Sequence, residues 1–275
     1  MSLSKIFSEC KTIVNCDVKP GKLILPNSID EMFYNKCLTS HLQTQMTTII
    51  ETPNLEASLS LYSFLSHFLL PEQQSLSDPT PHHTVIPGLF LQCVTPQPLP
   101  HQKLFQFKRP WTWVNVSQKE VHQYPNIDTQ KQIFNEYTTN VLFSDDSESP
   151  EAKQLIAKLT RLYQKFEVFP TQWSRKTIDM ISSRRSFAER ICEERMLEMV
   201  NMSILLVNMI DETLANGKLK YLQTNQINSI MKLLELNDKM ELRMVCAVAE
   251  LFQNGSYSKV FAGRNQAIRQ MMNSI

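Results

Sequence analysis

Residues 186–215, SFAERICEERMLEMVNMSILLVNMIDETLA, form the stretch that decides the fold predicted from the sequence. Apolar residues recur along it at helical spacing, and Ser186 with Glu189 has the S-x-x-E form of a capping box. A helix from 187 to 215 would span about 45 Å at a rise of 1.5 Å per residue. Its latter half is apolar on most sides. We therefore expect it to lie at the centre of a helical bundle.

The distribution of proline extends this prediction to the whole C-terminal part of the chain. All fourteen prolines lie at or before Pro170. A proline in a helix interior costs about 3 kcal/mol, so a tract without proline favours continuous helix. Capping and stop residues mark the predicted helix ends: Ser149, Pro150, Thr171, Thr224 and Asp238 at starts, Gly217 and Gly255 at ends. The sequence thus predicts a mainly α protein with a bundle of about five helices over 150–275, its first helix covering 150–169.

The part before this bundle has a mixed pattern, which predicts an N-terminal α+β region over 1–143. Alternation broken by Pro20 and Gly21 favours a hairpin over 11–25, and a second S-x-x-E box at Ser28 and Glu31 favours a helix over 29–51. Helical spacing continues from Asn54 to Pro71 and again over 127–143. The run WTWVNV, 111–116, has the aromatic and β-branched content of a strand.

Residues 71–110 hold more than half of the prolines, so we expect a long irregular segment there. Two interpretations stay open, a solvated connector or polyproline II structure on which partner domains dock. A second irregular stretch, SDDSESP at 144–150, is short, acidic and free of apolar residues. We predict an acidic linker at 144–149 between the N-terminal region and the bundle.

Composition excludes several classes of protein. The net charge of +1 creates no overall field that would attract nucleic acid or an anionic membrane. Six cysteines without a C-x-x-C pair indicate a reduced intracellular protein, and we expect no disulfides. We find no signal-peptide core and no apolar run of membrane-spanning length. The expected location is cytoplasmic or nuclear, not secreted.

The sequence contains no motif that indicates catalysis. Glycine-rich phosphate loops and the G-x-S-x-G nucleophile motif are both missing from the chain. His82, His83, Cys93 and His101 are spaced too loosely for a structural zinc site. We therefore predict that the protein is not an enzyme and holds no metal, no cofactor and no small-molecule substrate.

Two patches support an alternative function, RNA association. Basic and aromatic residues alternate over 103–113 as Lys103, Lys108, Arg109, Trp111 and Trp113, and a second basic run is formed by Arg175, Lys176, Arg184 and Arg185 within 175–190. Each patch also has a structural interpretation. The aromatic residues fit a half-buried strand that belongs to the core, and acidic neighbours such as Asp179 and Glu194 fit ordinary ion pairs on a helix surface.

Residues 194–272, which include LLVNMIDETLANGKLKYLQT at 205–224, resemble a known helical domain. The domain is shared by steroid receptor RNA activator protein and the C-terminus of the COPII outer-coat scaffold. The similarity lies in helix lengths and in breaks at 214–219, 236–240 and 255–268. The sequence departs from that family in its last segment, where Phe261 and Arg264 stand in for an aromatic residue followed by a basic pair. The resemblance implies a protein-binding scaffold or coregulator without an active site.

These observations together predict a non-enzymatic interaction or scaffold protein that works as a subunit of a protein complex. Ten of the thirteen methionines lie after Pro170, and methionine suits either an adaptable binding groove or core filling. We expect partner proteins to dock on the Met-rich helical bundle and on the Pro-rich segment. The alternative is an RNA-associated protein that uses the patches at 103–113 and 175–190.

Overall fold

A six-stranded mixed sheet organises the protein in a computed structural model, which describes residues 21–53, 55–96, 101–142, 149–163, 165–215 and 219–261. The strands are β1 (Thr48–Glu51), β2 (Asp78–His82), β3 (Leu91–Val94), β4 (Trp111–Asn115), β5 (Glu120–Tyr124) and β6 (Phe166–Glu167). Their order across the sheet is β2-β3-β1-β4-β5-β6. The first four strands of that order are parallel, while β5 runs antiparallel to both of its neighbours.

Helices occur along the whole described chain. They are α1 (Glu31–Gln43), α2 (Leu55–Ser66), α3 (Pro71–Ser75), α4 (His101–Leu104), α5 (Ile127–Tyr137), α6 (Pro150–Leu162), α7 (Gln172–Ser183), α8 (Ala188–Leu214), α9 (Thr224–Leu233), α10 (Lys239–Phe252) and α11 (256–261). A π-helical stretch, Thr138–Leu142, extends α5, and a 3₁₀ turn, Arg185–Phe187, precedes α8.

The two faces of the sheet carry different side chains because successive residues of a strand point in opposite directions. On β1, Ile50 belongs to the main core with Leu38 of α1 and Phe64 of α2. Its neighbour Ile49 belongs to a second cluster on the other face, together with Trp111. A third cluster joins Phe105 to the inner sides of α5 and α6. The sheet is therefore covered on both faces.

The helix at the centre of the molecule is α1. From Phe33 to Gln43 all of its residues except Lys36 are buried. On its sheet side, Ser40 Oγ lies 2.7 Å from Thr112 Oγ1 of β4. Three residues farther along, Gln43 Nε2 donates a hydrogen bond of 3.1 Å to the Met240 carbonyl of α10. Thr39 of α1 contacts α7 through Ser174, so α7 and α10 both pack directly against α1.

This arrangement shows that the predicted fold class was wrong. The C-terminal helices do not form a separate bundle with 187–215 at its centre, since they pack on α1 of the N-terminal α/β region. The predicted irregular segment 71–110 contains two paired strands, β2 and β3. The predicted helix over 150–169 ends at Leu162, and β6 follows it and pairs with β5.

The predicted helix over 29–51 was also wrong in its bounds. It starts at Glu31 with Asp30 as the N-cap, whose carboxylate accepts the Phe33 N–H. It ends at Gln43 because Gln45 and Met46 adopt positive φ values of 55° and 63°, which a right-handed helix does not allow. The remaining residues of the predicted helix form β1.

Several local predictions are confirmed. The hydroxyls of Ser149 and Thr171 cap α6 and α7, and the Asp238 carboxylate caps α10 by accepting the N–H groups of Met240 and Glu241. The long helix lies at Ala188–Leu214, and the predicted strand 111–116 is β4. The Ser186 capping box is not formed, because the N-cap of α8 is Phe187.

Some predictions fall on residues outside the described ranges. These are most of the hairpin over 11–25, the acidic linker apart from Ser149, and the stop at Gly217. The division into 1–143, 144–149 and 150–275 stays a prediction. Within the described part of the chain, no helix combines the length and apolar composition needed to cross a membrane.

Candidate protein-binding cleft

A cleft of about 740 Å³ lies where α7 turns into α8, and we refer to it as the corner cleft. Segment 22–27 forms one wall. The 3₁₀ turn at Arg185–Phe187 and the first turns of α8, as far as Glu193, form the other. The cleft therefore lies between an extended segment and the start of the longest helix described.

Segment 22–27 is held in place by polar contacts at several points. Its Leu23 N–H donates a hydrogen bond of 2.9 Å to Glu189 Oε1 of α8. The Ile24 N–H donates to Ser63 Oγ of α2 at 2.8 Å, and that hydroxyl donates to the Lys22 carbonyl at 3.0 Å. The Arg185 guanidinium donates to the carbonyls of Asn27, at 2.6 Å, and Pro26. These bonds fix the wall to both α2 and α8.

The cleft has an exposed aromatic residue on its helical wall. Phe187 is 58% exposed, whereas the next residue, Ala188, is buried. Farther along α8, Leu197 and Leu205 are also exposed. A large exposed apolar side chain beside a concave surface is typical of protein contact sites, whose centres are rich in aromatic residues.

The second predicted basic run surrounds this cleft. Arg185 lines it, Arg184 is exposed directly beside it, and Arg175 with Lys176 lies on the exposed surface of α7. Among the described residues, Arg175, Lys176 and Arg184 have no acidic partner within ion-pair distance. The expected pairing occurs only farther on, where Arg190 Nε lies 2.8 Å from Glu194 Oε1. The corner therefore carries exposed cations without an ion-pair partner, while the lining of the cleft is mixed and includes Glu189 and Glu193.

The first predicted patch, 103–113, is divided by the fold. Lys103 and Lys108 are exposed, and Arg109 is half-buried. Trp111 is fully buried and stacks on Tyr124 with 4.4 Å between ring centroids. Trp113 donates a hydrogen bond of 2.7 Å from Nε1 to Glu51 Oε2. Both indoles lie in the second cluster of the core, which leaves their faces inaccessible to a stacking base.

Cysteine and histidine offer little reactivity in the described part of the chain. Cys37, Cys93, Cys192 and Cys246 are free and buried. Burial raises the pKa of Cys93 to about 11 and that of Cys192 to about 12, so both thiols stay protonated near neutral pH. No group of three or more His, Cys, Asp or Glu side chains within these ranges is placed to hold a metal ion.

Sequence reasoning identified the basic residues of this corner but missed the cleft. Residues 22–25 of this segment were assigned to the predicted hairpin over 11–25, and nothing in the sequence pairs the segment with residues more than 150 positions away. Phe187 was predicted only to be the first residue of the long helix. The run Arg184-Arg185-Ser186-Phe187 could have indicated an exposed aromatic residue, because Phe187 follows two cations and lies outside the periodic apolar pattern.

Comparison with known proteins finds a family similarity for one part of the chain. Residues 1–130 match the model of the C9orf72-like protein family. The matched range reaches into α5 and therefore includes α1 and the first five strands of the sheet. No curated protein matches the chain. The chain is thus similar to the C9orf72-like family over this range.

Proposed function

We propose that this protein is a non-enzymatic interaction protein, located in the cytoplasm or nucleus, that binds an acidic partner protein at the corner cleft. The similarity of residues 1–130 to the C9orf72-like family supports a role in protein interaction, because proteins of that family are expected to be DENN-like, GEF-related interaction proteins. The resemblance of 194–272 to a scaffold domain points to the same class and stays a prediction.

The observation that carries this proposal is the exposure of Phe187 beside the cleft. Phe187 is 58% exposed, and burial of apolar surface contributes a free energy of about 25 cal/mol per Å². The protein alone does not gain this free energy for the exposed part of the ring. A partner that covers the ring recovers this free energy. The cleft beside it gives room for a side chain of the partner, which is how anchor residues bind at protein interfaces.

The charge of the corner indicates the chemistry of the partner. Arg175, Lys176 and Arg184 are exposed and form no ion pair in the described part of the protein. Complementary charges accelerate association and select partners more than they raise affinity. An acidic protein surface that carries an apolar anchor therefore fits this corner best.

RNA is the second candidate, and it rests on the same exposed cations. The aromatic residues that would stack on bases are not available around 103–113, because Trp111 and Trp113 are in the core. Phe187 is the one aromatic residue among those lining the corner cleft. Contacts to RNA phosphates by Arg175, Lys176 and Arg184 would then supply most of the binding, and binding would fall steeply with salt.

The experiment uses the full chain as bait, in parallel with and without RNase. We compare the native chain with Phe187→Asp and with a matched control, Met32→Asp. Met32 is 56% exposed at the start of α1 and does not line the corner cleft. We expect partner proteins to survive RNase, to be lost from Phe187→Asp by about tenfold or more, and to be retained by Met32→Asp.

Two results would contradict the proposal. Loss of every partner on RNase treatment would favour the RNA candidate. Equal binding of partners by the native chain and Phe187→Asp would show that the corner cleft is not the contact site. Thermal unfolding of both variants, monitored by circular dichroism, verifies that they are folded.

A further inference from the structure

A second cavity, of about 310 Å³, lies beside the sheet, and none of its lining residues belongs to the corner cleft. Thr47 directly precedes β1, Phe90 directly precedes β3, and Arg109 lies two residues before β4. These three strands are parallel, so their amino ends meet at one edge. We refer to this space as the strand-edge cavity.

Arg109 gives the cavity an unusual cation. Its Cζ lies 4.1 Å from the centroid of the Phe90 ring, a cation–π contact that holds the guanidinium flat against the cavity wall. The group is half-buried, and burial lowers the pKa of Arg109. Within the described ranges no carboxylate pairs with it and no hydrogen bond engages it. A partly desolvated guanidinium with its donors free is a prepared site for an anion.

Thr47 forms a buried part of the cavity wall. It is 2% exposed and lines the cavity. Its Oγ1 has less than 1 Å² of accessible surface, so a ligand in the cavity does not reach the hydroxyl.

The rest of the lining defines the size and polarity of a ligand. Lys108 lines the cavity, although its Nζ lies over the ring of Phe134, 5.6 Å from the ring centroid, and none of the lining residues is acidic. Phe90 and Phe107 contribute apolar surface. Gly88 forms part of the wall at a φ of 102°, a conformation that favours glycine, and the space where a Cβ would stand is open. The volume is at the small end of the range for ligand cavities, roughly 300–1,000 Å³.

We propose that the strand-edge cavity binds a small ligand that carries one anionic group, a carboxylate or a phosphate monoester, on a compact apolar body. The anion lies against the Arg109 guanidinium, and the apolar body contacts Phe90 and Phe107. The proposal is independent of the corner cleft and attaches no reaction to the cavity.

Calorimetric titration of the full chain tests this proposal with four probes. Phenyl phosphate and benzoate carry both an anion and an apolar body, inorganic phosphate lacks the body, and phenol lacks the charge. We expect saturable 1:1 binding of phenyl phosphate, benzoate or both, and binding of inorganic phosphate and phenol weaker by about tenfold or more. The better of the two anionic probes identifies the anion.

Three variants locate the site. Arg109→Gln should weaken the better probe by about tenfold or more, and Arg109→Lys by about threefold to tenfold, since it keeps the charge but loses the planar fork of donors. Arg161→Gln removes an exposed arginine of α6 outside the cavity and should leave binding unchanged. If Arg109→Gln does not fold, as judged by circular dichroism, Arg109→Lys decides.

The proposal is overturned by any of four results. These are no saturable binding of either anionic probe to the native chain, phenol binding as tightly as phenyl phosphate, undiminished binding by the folded Arg109 variant that decides, and an equal loss in Arg161→Gln. The last result would indicate attraction of anions to surface arginines in general.

Discussion

Thr39 Oγ1 donates a hydrogen bond of 2.9 Å to Ser174 Oγ, and the two residues are 135 positions apart in the chain. Both are fully buried. The same Thr39 oxygen accepts a hydrogen bond of 3.3 Å from the N–H of Thr171. Thr171 is the N-cap residue of α7. A single threonine of α1 thus joins the sheet-bound helix to the start of α7.

Replacing this threonine with valine tests that junction. Thr39→Val keeps the shape of the side chain but removes the hydroxyl, which leaves the buried N–H of Thr171 without its acceptor. We expect the free energy of unfolding to fall by about 1–3 kcal/mol in urea denaturation. Thr139→Val, at an exposed position, should change it by less than about 0.5 kcal/mol. Equal stability of the two variants would contradict the role of Thr39.

Two adjacent leucines of α8 provide a sharp test of the main core. Leu206 is fully buried and Leu205 is 43% exposed. Leu206→Asp places an unpaired charge in the core, and we expect it to lower the free energy of unfolding by more than about 4 kcal/mol. Leu205→Asp should have less than about a quarter of that effect, because its carboxylate reaches water. Thermal melting measures both, and similar melting temperatures would show that the burial of α8 is misassigned.

The ion pair between Lys131 of α5 and Glu250 of α10 links two layers of the protein. The Glu250 side chain is only 2% exposed, and it also accepts the N–H groups of Gly255 and Tyr257. Lys131→Met removes the countercharge and should destabilise the protein by about 1–3 kcal/mol, below the range for fully buried pairs because Lys131 itself is 36% exposed.

A second ion pair controls for the general effect of removing a lysine. Lys158 of α6 pairs with Glu136 of α5, and this lysine is 62% exposed. Lys158→Met should cost less than about 1 kcal/mol, as is usual for surface pairs. In addition, the double variant Lys131→Met with Glu250→Gln should be more stable than Lys131→Met alone, and the opposite order would refute an uncompensated carboxylate as the cause.

His41 makes stability depend on pH. The ring is fully buried in α1, and burial lowers its pKa from 6.5 to about 3. Between these values the unfolded chain binds a proton at this residue and the folded chain does not. Stability contributed by His41 is therefore complete above pH 6.5 and is lost as the pH falls, by about 1.4 kcal/mol per pH unit down to the folded pKa.

Denaturation in urea at pH 7.5 and pH 5.0 measures this loss. The native chain should lose about 2 kcal/mol more between the two values than His41→Gln does, since the variant lacks the titrating group. His83→Gln, at an exposed position, should retain the full loss. If the native chain and His41→Gln lost the same amount, the buried imidazole would not be the source.

Local signals in the sequence predicted local structure well, and long-range packing was where they failed. Caps at Ser149, Thr171 and Asp238 depend on residues within one helical turn, so the sequence predicts them. The central position of α1 cannot be predicted in this way, because it depends on distant residues. Its buried face includes Thr39, Ser40 and His41, polar residues that are satisfied only by partners from β1, β4 and α7. When those partners are unknown, the polar composition of α1 looks like that of a helix at the protein surface.

The same reasoning explains the error about the Pro-rich segment. Pro79 and Pro81 lie in β2, which is the outermost strand of the sheet and pairs on one side only. Proline lacks the N–H that a central strand needs, but an edge strand tolerates it. Proline content alone therefore could not distinguish an irregular segment from a protected sheet edge. The sequence predicted a cluster of basic residues near the corner cleft. It did not predict the cleft itself, because the cleft depends on contacts of segment 22–27 with residues that are distant in the chain.

The central position of α1 has a consequence for how the molecule should be divided. The range that resembles the C9orf72-like family ends at residue 130 and contains α1, but α7 and α10, which pack directly against that helix, both begin after Pro170. A chain shortened to the matched range would leave the Thr39 hydroxyl and the Gln43 amide facing water instead of their buried partners. The matched range is therefore smaller than the set of residues that packs around α1, and a fragment cut at residue 130 would lack the helices that bury these polar groups.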